Sequence, residues 1–562
     1  MKLVEGRRLT GPNWMLRAPG AAIQVSYDEG DHHSSLCKTW KARIMAMTAA
    51  LKWPLQTSLR MCNGGANYAF VAPIDQLNTA VEVAEWAVET QRFATTADAR
   101  NHFKQAAAAE ANPALRALSD FAWELDLPFL WDEDVVSLGF GQSCLCWPIN
   151  DLPDPRELNS RRFAPIPVAL ITGTNGKTTT ARLLTHMARC EGHHVGNTST
   201  DGWSIDEHTI EEGDWTGPGA ARKVLRNPRV EMAVLETARG GLLRRGLATN
   251  LASVAVVTNV SNDHLGEWGV DDLEDLAGAK LVVRRGLRPG GKLVLNAACP
   301  ALVKGAYAAD VFVPTVNLAW FSSDPKDRQF DQFLRTSEET ATVRDGVLVY
   351  QRGQHREYVL ALSEAKFTYN GAAQHNVENA LAAILAARGL GLGWPAIREG
   401  LRTFASNPTD NPGRANMLQC NGGNVLLDFA HNADGVQQIV KLAKALPAKR
   451  RLITLGQAGD RTDTDIAQLA TIAHGLGADR YVLKETEHYL RGRPLGQVTG
   501  IMHKALTDAG VAESQIGVHM DEASAVTAAA DWLQAGDLAV VLVHDSFSAA
   551  LAQFKARGAT ST

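Results

Sequence analysis

A glycine-rich turn is the stretch of this sequence best suited to chemistry. Residues 168–172 (Val-Ala-Leu-Ile-Thr) are apolar or β-branched and predict a buried strand, and apolar residues take up helical spacing after Lys177. Residues 173–176 (Gly-Thr-Asn-Gly) lie between them. A strand, a glycine turn and a helix N-terminus together direct backbone N–H groups at a phosphate. Lys177 can then bind the β- and γ-phosphates of a nucleotide, while the hydroxyl of Thr178 can bind Mg²⁺.

Two further polar side chains follow apolar strands that we predict in the same sheet. Glu236 ends the run of residues 230–236, and His264 lies just beyond the run of residues 254–259. Open α/β sheets bind ligands at the carboxyl ends of their strands. We therefore expect Glu236 to be a Mg²⁺ ligand beside Thr178, and His264 to bind the metal or a phosphate. The alternatives are a carboxylate that caps the next helix and a structural histidine.

The elements around this site predict an α/β protein of three domains. Residues 1–163 are typical of a small α+β domain with a helical extension, and residues 164–408 contain the nucleotide site. Residues 409–562 alternate strands with helices, which predicts a small, parallel, Rossmann-like sheet. Its strands are expected at 425–432, where the strand ends in polar groups, and at 451–455, 480–484 and 538–543. Within the central domain, Asp345-Gly346 predicts the turn of a hairpin in an antiparallel excursion over residues 310–368.

The composition of the sequence limits the classes of function and the cellular compartments that we expect. The 562 residues carry a formal net charge of −5 with acids and bases well mixed, which gives no reason to expect binding to nucleic acid or to a membrane surface. The sequence has no apolar run long enough to span a bilayer and no signal-peptide core near Met1. Its seven cysteines are scattered, which favours reduced thiols and a cytoplasmic protein.

The phosphate turn is compressed relative to a general P-loop, because Gly173 lies only three residues before Gly176. The form Gly-Thr-Asn-Gly-Lys-Thr resembles the Mur ligase family, which joins amino acids to carboxylates with ATP. Glu-Thr-Ala-Arg-Gly-Gly from Glu236 and Asp-His-Leu-Gly from Asp263 are most similar to the Mur-ligase half of cyanophycin synthetases. Residues 9–13 (Leu-Thr-Gly-Pro-Asn) also resemble the opening of those enzymes. The resemblance implies a P-loop central domain of the Mur ligase type before the Rossmann-like C-terminal domain.

The resemblance also implies ATP and Mg²⁺ as cofactors, and it assigns roles at matching positions. Asn379 matches an asparagine that faces the adenine, Arg414 an arginine that contacts phosphate, and Asp428 an aspartate that contacts the ribose. Lys280 matches a lysine that is often carbamylated and bridges to a metal; the alternative is a solvent-facing helix lysine. For Asn379 and its neighbour Asn376, the alternative is capping of the helix start. The expected nucleotide-binding residues are Gly173, Thr174, Asn175, Gly176, Lys177, Thr178, Thr179, Asn379, Arg414 and Asp428. The expected catalytic residues are Lys177, Glu236, His264, Lys280 and Arg414.

The C-terminal domain contains a second group of candidates. Two phrases, residues 459–461 (Gly-Asp-Arg) and 491–493 (Arg-Gly-Arg), resemble those of cyanophycin synthetases, where they lie close to the basic amino acid and the acidic acceptor. The residues expected to contact substrate are His431, Asp460, Arg461, Arg491 and Arg493. The alternative for the second phrase is a solvated turn.

The sequence departs from cyanophycin synthetases in one respect. Those enzymes carry an ATP-grasp domain that extends the aspartate backbone, and residues 1–562 contain no second glycine-rich nucleotide loop. We therefore expect a chain that does not make cyanophycin alone. It should join an amino acid such as arginine or lysine to an aspartyl-type acceptor through an acyl phosphate.

Two other functions remain open from the sequence. One is a nucleotide-binding partner or regulator of another cyanophycin-type ligase. The other is a P-loop ATPase or kinase that acts on a non-acyl acceptor. We expect small-molecule or peptide substrates and a homo-oligomer, with a separate ligase as a further candidate partner.

Overall fold

The computed structural model describes residues 1–28, 31–263, 265–308, 315–326, 328–336 and 338–561, and every element below belongs to these residues. The chain divides into two compact units. The first comprises Met1–Thr342, Val349–Glu357 and Leu381–Gly400. The second comprises Val343–Leu348, Tyr358–Ala380 and Leu401–Thr562. No helix in the described part of the chain is long and apolar enough to cross a membrane.

The N-terminal part of the first unit is a small α+β structure, as predicted. Its antiparallel sheet contains β1 (Lys2–Leu9), β2 (Gly20–Ser26), β3 (Thr57–Cys62) and β4 (Gly65–Val71), in the order β1-β2-β4-β3. The helices are α1 (His33–Leu51), α2 (Leu77–Trp86), α3 (Thr96–Glu110) and α4 (Pro113–Glu124). Trp40, Tyr68 and Phe70 belong to one buried cluster of this part. A three-stranded sheet follows, made of β5 (Phe129–Trp131), β6 (Val135–Leu138) and β7 (Leu145–Pro148).

The strand before the phosphate turn lies inside the central sheet. This strand, β8 (Val168–Thr172), is buried at all five residues. It pairs in parallel with β12 (Met232–Glu236) on one side and with β13 (Ala252–Val257) on the other. Ile171 is level with Glu236 and Thr172 is level with Val257, so the carboxyl ends of the three strands meet at one edge.

Eleven strands form this sheet among the described residues. The others are β9 (Val195–Ser199), β10 (Gly202–Ile205), β11 (His208–Glu212), β14 (Leu287–Asn296), β15 (Asn317–Ser322), β16 (Glu339–Arg344), β17 (Val347–Arg352) and β18 (His355–Ala361). The strand order is β11-β10-β9-β12-β8-β13-β14-β15-β16-β17-β18. The helices of this region are α5 (Lys177–Cys190), α6 (Pro218–Arg226), α7 (Arg239–Arg244), α8 (Leu273–Lys280), α9 (Pro300–Ala306), α10 (Arg328–Arg335), α11 (Gln374–Leu390) and α12 (Trp394–Thr403).

The second unit contains a seven-stranded sheet. Its strands are β19 (Asn416–Cys420), β20 (Gly423–Asp428), β21 (Arg451–Leu455), β22 (Arg480–Lys484), β23 (Ile516–His519), β24 (Leu538–Leu542) and β25 (Thr560–Ser561), in the order β23-β22-β21-β24-β20-β19-β25. The helices are α13 (Ala433–Ala445), α14 (Asp463–His474), α15 (Gln497–Asp508), α16 (Glu522–Trp532) and α17 (Phe547–Ala556).

Short 3₁₀ helices occur in both units, at Thr90–Arg92, Gly141–Ser143, Pro155–Glu157, Ser160–Arg162, Leu281–Gly286, Lys366–Thr368, Glu487–Tyr489 and Glu513–Gln515.

The predicted fold class is confirmed, with two differences in detail. The C-terminal sheet has a parallel core, but β19, β23 and β25 were not predicted, and β19 pairs antiparallel with both β20 and β25. The hairpin turn lies at Asp345-Gly346, where both residues have positive φ (49° and 74°). Strand β15, in the segment expected to be antiparallel, instead pairs in parallel with β14 and β16. The domain boundaries 1–163, 164–408 and 409–562 stay a prediction.

Candidate active site

The backbone of the phosphate turn can be formed only with glycine at two positions. Gly173 has a φ of +151°, and a Cβ atom there would lie 1.8 Å from Oγ1 of Thr258. Gly176 has a φ of +82° and is the N-cap residue of α5. The chain therefore leaves β8 in a tight turn and enters α5 with Lys177 and Thr178 in its first turn.

Hydrogen bonds hold the turn against the residues that follow the neighbouring strand β13. The backbone N–H of Thr174 donates to the carbonyl of Asn259 (3.0 Å), and that of Asn175 donates to Oδ1 of Asn259 (2.9 Å). The carbonyl of Asn175 accepts from Oγ1 of Thr258 (2.5 Å) and from Nδ2 of Asn259 (3.1 Å). These two polar residues follow an apolar strand, which was the available signal, but no role was predicted for them. They hold the turn in a fixed shape.

Three of the predicted residues come together at this edge. Oγ1 of Thr178 donates to Oε2 of Glu236 at 3.0 Å, with Thr178 only 5% and Glu236 only 2% exposed. Nζ of Lys177 donates to the carbonyl of Thr174 at 2.9 Å, so the ammonium folds back over the turn. Glu236 does not cap the next helix, because the N-cap of α7 is Ala238, with no side-chain cap bond. The predicted metal ligand His264 lies outside the described residues.

Lys280 is buried rather than solvent-facing. It ends α8 and is 5% exposed, so the alternative of a solvated helix lysine is wrong. Burial lowers the pKa of Lys280 well below its usual value, and the positive charges of Lys177 and Arg239 lower it further. Asp263 acts in the opposite direction. The structure thus places Lys280 within electrostatic reach of Lys177. Thr179 is also buried, in the first turn of α5.

In the second unit, Asp428 ends β20 and is held by the backbone. Its Oδ2 accepts from the N–H of Ala415 and its Oδ1 from the N–H of Ala430, both at 2.7 Å. Burial raises the pKa of Asp428 to about 6, although the guanidinium of Arg414 and the backbone hydrogen bonds act against this. The Arg414 guanidinium lies 4.7 Å from the ring centre of Phe429.

The asparagines of α11 form a buried chain of hydrogen bonds. Nδ2 of Asn376 donates to the carbonyl of Phe367 (2.8 Å), and Nδ2 of Asn379 donates to Oδ1 of Asn376 (3.3 Å). Asn376 lies inside the helix, two residues after its first residue, Gln374. The amide of Asn376 therefore orients that of Asn379, the residue predicted to face the adenine.

A pocket that is open to solvent lies at strand ends of the second unit. Among its lining residues, His431 and Arg461 were predicted to contact substrate. Two others, Lys484 at the end of β22 and His544 just after β24, were not predicted. The remaining lining residues are Phe429, Gly456, Gln457, Ala458, Thr486 and Tyr489.

One lysine of this pocket is paired inside the protein. Lys484, 1% exposed, forms an ion pair with Glu522, whose carboxylate also accepts from the backbone N–H groups of His544 and Asp545. Burial, helped by the nearby Lys484, lowers the pKa of His544 to about 3, so its imidazole is neutral at physiological pH. Its Nε2 lies 3.0 Å from the carbonyl of Ala430.

The two arginines of the Arg-Gly-Arg phrase differ in their contacts and in their exposure to solvent. Arg493 donates to the carbonyls of Gly459 and Arg461, both at 2.6 Å, and pairs with Asp463 at 2.7 Å. The side chain of Arg491 is 54% exposed, and its Nη1 lies 3.9 Å from Oδ2 of Asp460. The structure thus makes Arg493 the residue that holds the turn carrying Arg461.

Comparison with known proteins assigns the two domains that carry these sites. Residues 171–387 match the family model "Mur ligase middle domain", and residues 413–543 match "Mur ligase, glutamate ligase domain". The chain therefore belongs to the Mur ligase family through its middle and C-terminal domains, which confirms the resemblance given by the phosphate turn.

Within the Mur ligase family, this chain is similar to cyanophycin synthetases. The chain is 37% identical over 412 residues to a cyanophycin synthetase of Synechocystis sp., covering 73% of this chain and 45% of that protein. It is 35% identical over 410 residues to a cyanophycin synthetase of Trichormus variabilis, covering 73% and 44%. The chain thus spans less than half the length of these relatives. A solved bifunctional folylpolyglutamate synthase/dihydrofolate synthase with Mn, AMPPNP and L-glutamate bound has a TM-score of 0.51 at 18% identity, covering 69% of this chain and 89% of that one, which shows a shared fold.

Proposed function

We propose that this chain is an ATP-dependent ligase that joins a carboxylate to an amine through an acyl phosphate. The observation that carries the proposal is the 3.0 Å contact between the Thr178 hydroxyl and the Glu236 carboxylate, directly beside the phosphate turn. The middle and C-terminal domains of this chain are those of a family of ATP-dependent amide-bond ligases. The family and the local geometry therefore support the same chemistry.

The residues at this edge fit a magnesium ion. Mg²⁺ prefers oxygen ligands and usually takes one or two protein ligands together with phosphate oxygens and water. Thr178 and Glu236 supply one hydroxyl and one carboxylate, and His264 is retained as a third predicted ligand. No group of three or more His, Cys, Asp or Glu side chains in the described residues could hold a metal alone, so we assign the ion to a joint site with the triphosphate. Bound there, Mg²⁺ would neutralise negative charge on the phosphates.

The main barrier to the reaction is the repulsion between two anions, the acceptor carboxylate and the triphosphate, and residues of this chain reduce it. An acceptor carboxylate must approach the γ-phosphorus, and its oxygen forms a bond there while the bond to ADP breaks. Lys177 and the N-terminus of α5 stabilise the charge that develops during this transfer. The lone pair of the amine then attacks the acyl carbon, phosphate leaves and the nitrogen loses a proton. The net products are an amide, ADP and phosphate.

Lys280 is proposed as the site of a carbamate. An uncharged lysine amine can attack CO₂, and the resulting carbamic acid loses a proton to become an anion. The depressed pKa of Lys280 supports this, since burial and two nearby cations disfavour its ammonium form. A carbamate would place a buried negative charge close to Lys177.

The second unit is proposed to supply the remaining nucleotide contacts and the amine site. Arg414, Asp428 and Asn379 keep their predicted roles at phosphate, ribose and adenine. In the pocket, Arg461 can bind the carboxylate of an incoming amino acid, while the rings of Phe429 and Tyr489 can contact its side chain. An amino acid such as arginine or lysine and an aspartyl-type acceptor are the first substrates to test.

The test is ADP release with Mg·ATP across a matrix of acidic acceptors and amines, with mass spectrometry of the products. We expect ADP only when both substrates are present, with a product one water lighter than their sum. Lys177→Ala should abolish this ADP release. ATP binding without turnover for any pair would instead support a partner or regulator of another ligase, and ADP release that needs no amine would support an ATPase or kinase.

A further inference from the structure

The two edges of the N-terminal sheet differ in how they are protected against pairing with another chain. The strand order is β1-β2-β4-β3, so β1 and β3 are the edge strands. Edge strands expose backbone N–H and C=O groups, and proteins usually protect them with charged side chains, prolines or β-bulges. Strand β1 has this protection, because its pairing with β2 shifts register between Leu3 and Glu5 and its sequence contains charged residues of both signs.

Strand β3 lacks this protection. It contains no proline, and its residues Thr57–Cys62 pair with β4 in an unbroken register. Its one charged residue, Arg60, is engaged elsewhere in the first unit. The Nη2 atom of Arg60 lies 2.6 Å from Oδ1 of Asp275, and its guanidinium lies 3.5 Å from the centre of a Trp14 ring. The charge of Arg60 is therefore compensated within the chain and gives this edge little power to repel a neighbouring strand.

The backbone groups that β3 turns outward belong to Thr57, Leu59 and Met61. The N–H of Val71 donates to the carbonyl of Gln56 at 3.0 Å, which shows that Gln56 and the even-numbered residues after it point toward β4. Because the hydrogen-bonding direction alternates along an antiparallel strand, the odd-numbered residues point away from β4. Within the described residues, no hydrogen bond satisfies these outward N–H and C=O groups.

Apolar side chains lie beside these outward backbone groups. Residues opposite each other on paired strands share a face of the sheet, and Leu59 is opposite Tyr68, whose ring packs on that of Trp40 in α1 with the ring centres 4.7 Å apart. Leu59 and Met61 therefore share the face that α1 covers, yet they are 40% and 48% exposed. Leu55, just before the strand, is 53% exposed. Grouped apolar exposure of this kind is typical of an interaction surface.

The hydrogen-bonding pattern of this edge is complementary to itself. When two copies of β3 are paired antiparallel about a two-fold axis at Leu59, this residue lies opposite Leu59 of the second copy, and Thr57 lies opposite Met61. All three residues are outward ones, so each exchanges its backbone hydrogen bonds with the residue opposite. The same register places the exposed apolar side chains of both copies on one face, where they cover each other.

We propose that β3 is a dimerisation edge, at which two copies of this chain join their four-stranded N-terminal sheets into one continuous antiparallel sheet. The match of β3 with its own copy, in both the backbone groups and the apolar side chains, favours a second copy over an extended peptide of another protein. This surface lies in the N-terminal sheet and does not rest on the proposed ligase activity.

The test is sedimentation velocity of the full chain over a range of concentrations, with Leu59→Lys and Leu59→Glu as separate variants. We expect a wild-type dimer. Each variant should raise the dissociation constant by about tenfold or more, because two like charges then face each other at the two-fold axis. An equimolar mixture of the two variants should dimerise again, because a lysine then faces a glutamate.

Val4→Lys is the matched control, because Val4 is 58% exposed on the other edge strand of the same sheet. This variant should dimerise as the wild type does. Thermal unfolding checks that each variant is folded, and Met61→Lys replaces the Leu59 variants if they are not.

Three results would overturn the proposal. A wild type that stays monomeric would mean that the edge is free or serves a peptide of another protein. A dimer that the charged variants of β3 leave unchanged, or that Val4→Lys weakens equally, would place the contact elsewhere. Leu59 variants that fail to dimerise when mixed would show that the two copies do not meet at this residue.

Discussion

Lysine side chains lie at the phosphate turn of the first unit and in the pocket of the second unit, but the groups that surround their amines differ. At the turn, Lys177 donates to a backbone carbonyl, and Lys280 is buried within reach of two further cations. In the pocket, Lys484 is paired with Glu522. A lysine that folds over the phosphate turn can contact a triphosphate, whereas a buried lysine held in an ion pair has its charge compensated inside the protein. Changing the charges one at a time tests this contrast.

The largest effect is expected from Glu522→Gln in the pocket. It leaves Lys484 buried without its counter-charge, and such a change typically costs about 3–5 kcal/mol of unfolding free energy. Denaturant unfolding measures this loss. The double variant Lys484→Met, Glu522→Gln removes the cation as well and should recover most of it. A single variant as stable as the wild type would show that the pair is not balanced in the way described.

Removal of Lys280, near the phosphate turn, should have the opposite pattern, with little effect on stability and a large effect on activity. Lys280→Met removes a cation whose charged form is already disfavoured, so the unfolding free energy should be unchanged or slightly higher. If Lys280 acts as a carbamate, kcat for ADP release should fall by about 10²–10³-fold, which is about 3–4 kcal/mol. Lys280→Glu, which restores a carboxylate, should recover part of the rate. Full activity in Lys280→Met would remove Lys280 from the catalytic residues.

Asp428 gives the second unit a pH dependence with a definite sign. Its pKa is raised from 3.8 to about 6, so the protonated form is favoured in the folded protein. The stability that this contributes is present below the unfolded pKa and is lost as the pH rises through about 6. Relative to Asp428→Asn, the wild type should lose about 3 kcal/mol between about pH 4 and pH 7. Unfolding curves of both proteins measure the difference; a constant difference, or one that grows with pH, would contradict the assignment.

The smallest effects are expected from the Arg-Gly-Arg phrase. Arg493→Ala removes hydrogen bonds to two carbonyls and one carboxylate, and we expect a loss of about 1–3 kcal/mol together with weaker amine binding through displacement of Arg461. The matched variant Arg491→Ala removes an exposed side chain and should change stability by less than about 0.5 kcal/mol. Calorimetric unfolding and the KM for the amine compare the two. Equal effects would mean that Arg493 does not hold the turn.

The two sites also differ in how far the sequence could predict them. The phosphate turn is contiguous, so residue types and spacing from Gly173 to Thr178 are sufficient to define it. The contact between Thr178 and Glu236 could be expected because parallel strands present their carboxyl ends at one edge. The fastening of the turn by Thr258 and Asn259 was missed, because polar residues after a strand are common and only the fold shows which loop they meet.

The pocket of the second unit was predicted only in part because its residues are far apart in the chain. Lys484 and Glu522 are separated by 38 residues, and neither belongs to a recognisable phrase. His544 follows a buried strand, but its neutral state depends on burial and on Lys484, which no linear pattern shows. Arg7, which is buried in the N-terminal sheet, is a similar case: on an alternating strand it is indistinguishable from Arg8 until the packing of the sheet is known.

The most direct test of the central claim follows oxygen from the acceptor into phosphate. An acceptor labelled with ¹⁸O in its reacting carboxylate is incubated with Mg·ATP and the amine, and the released phosphate is analysed by mass spectrometry. If the carboxylate is activated as an acyl phosphate, each amide formed transfers one labelled oxygen to inorganic phosphate. Amide formation with unlabelled phosphate would contradict the account, because the carboxylate oxygen would then have left by another route.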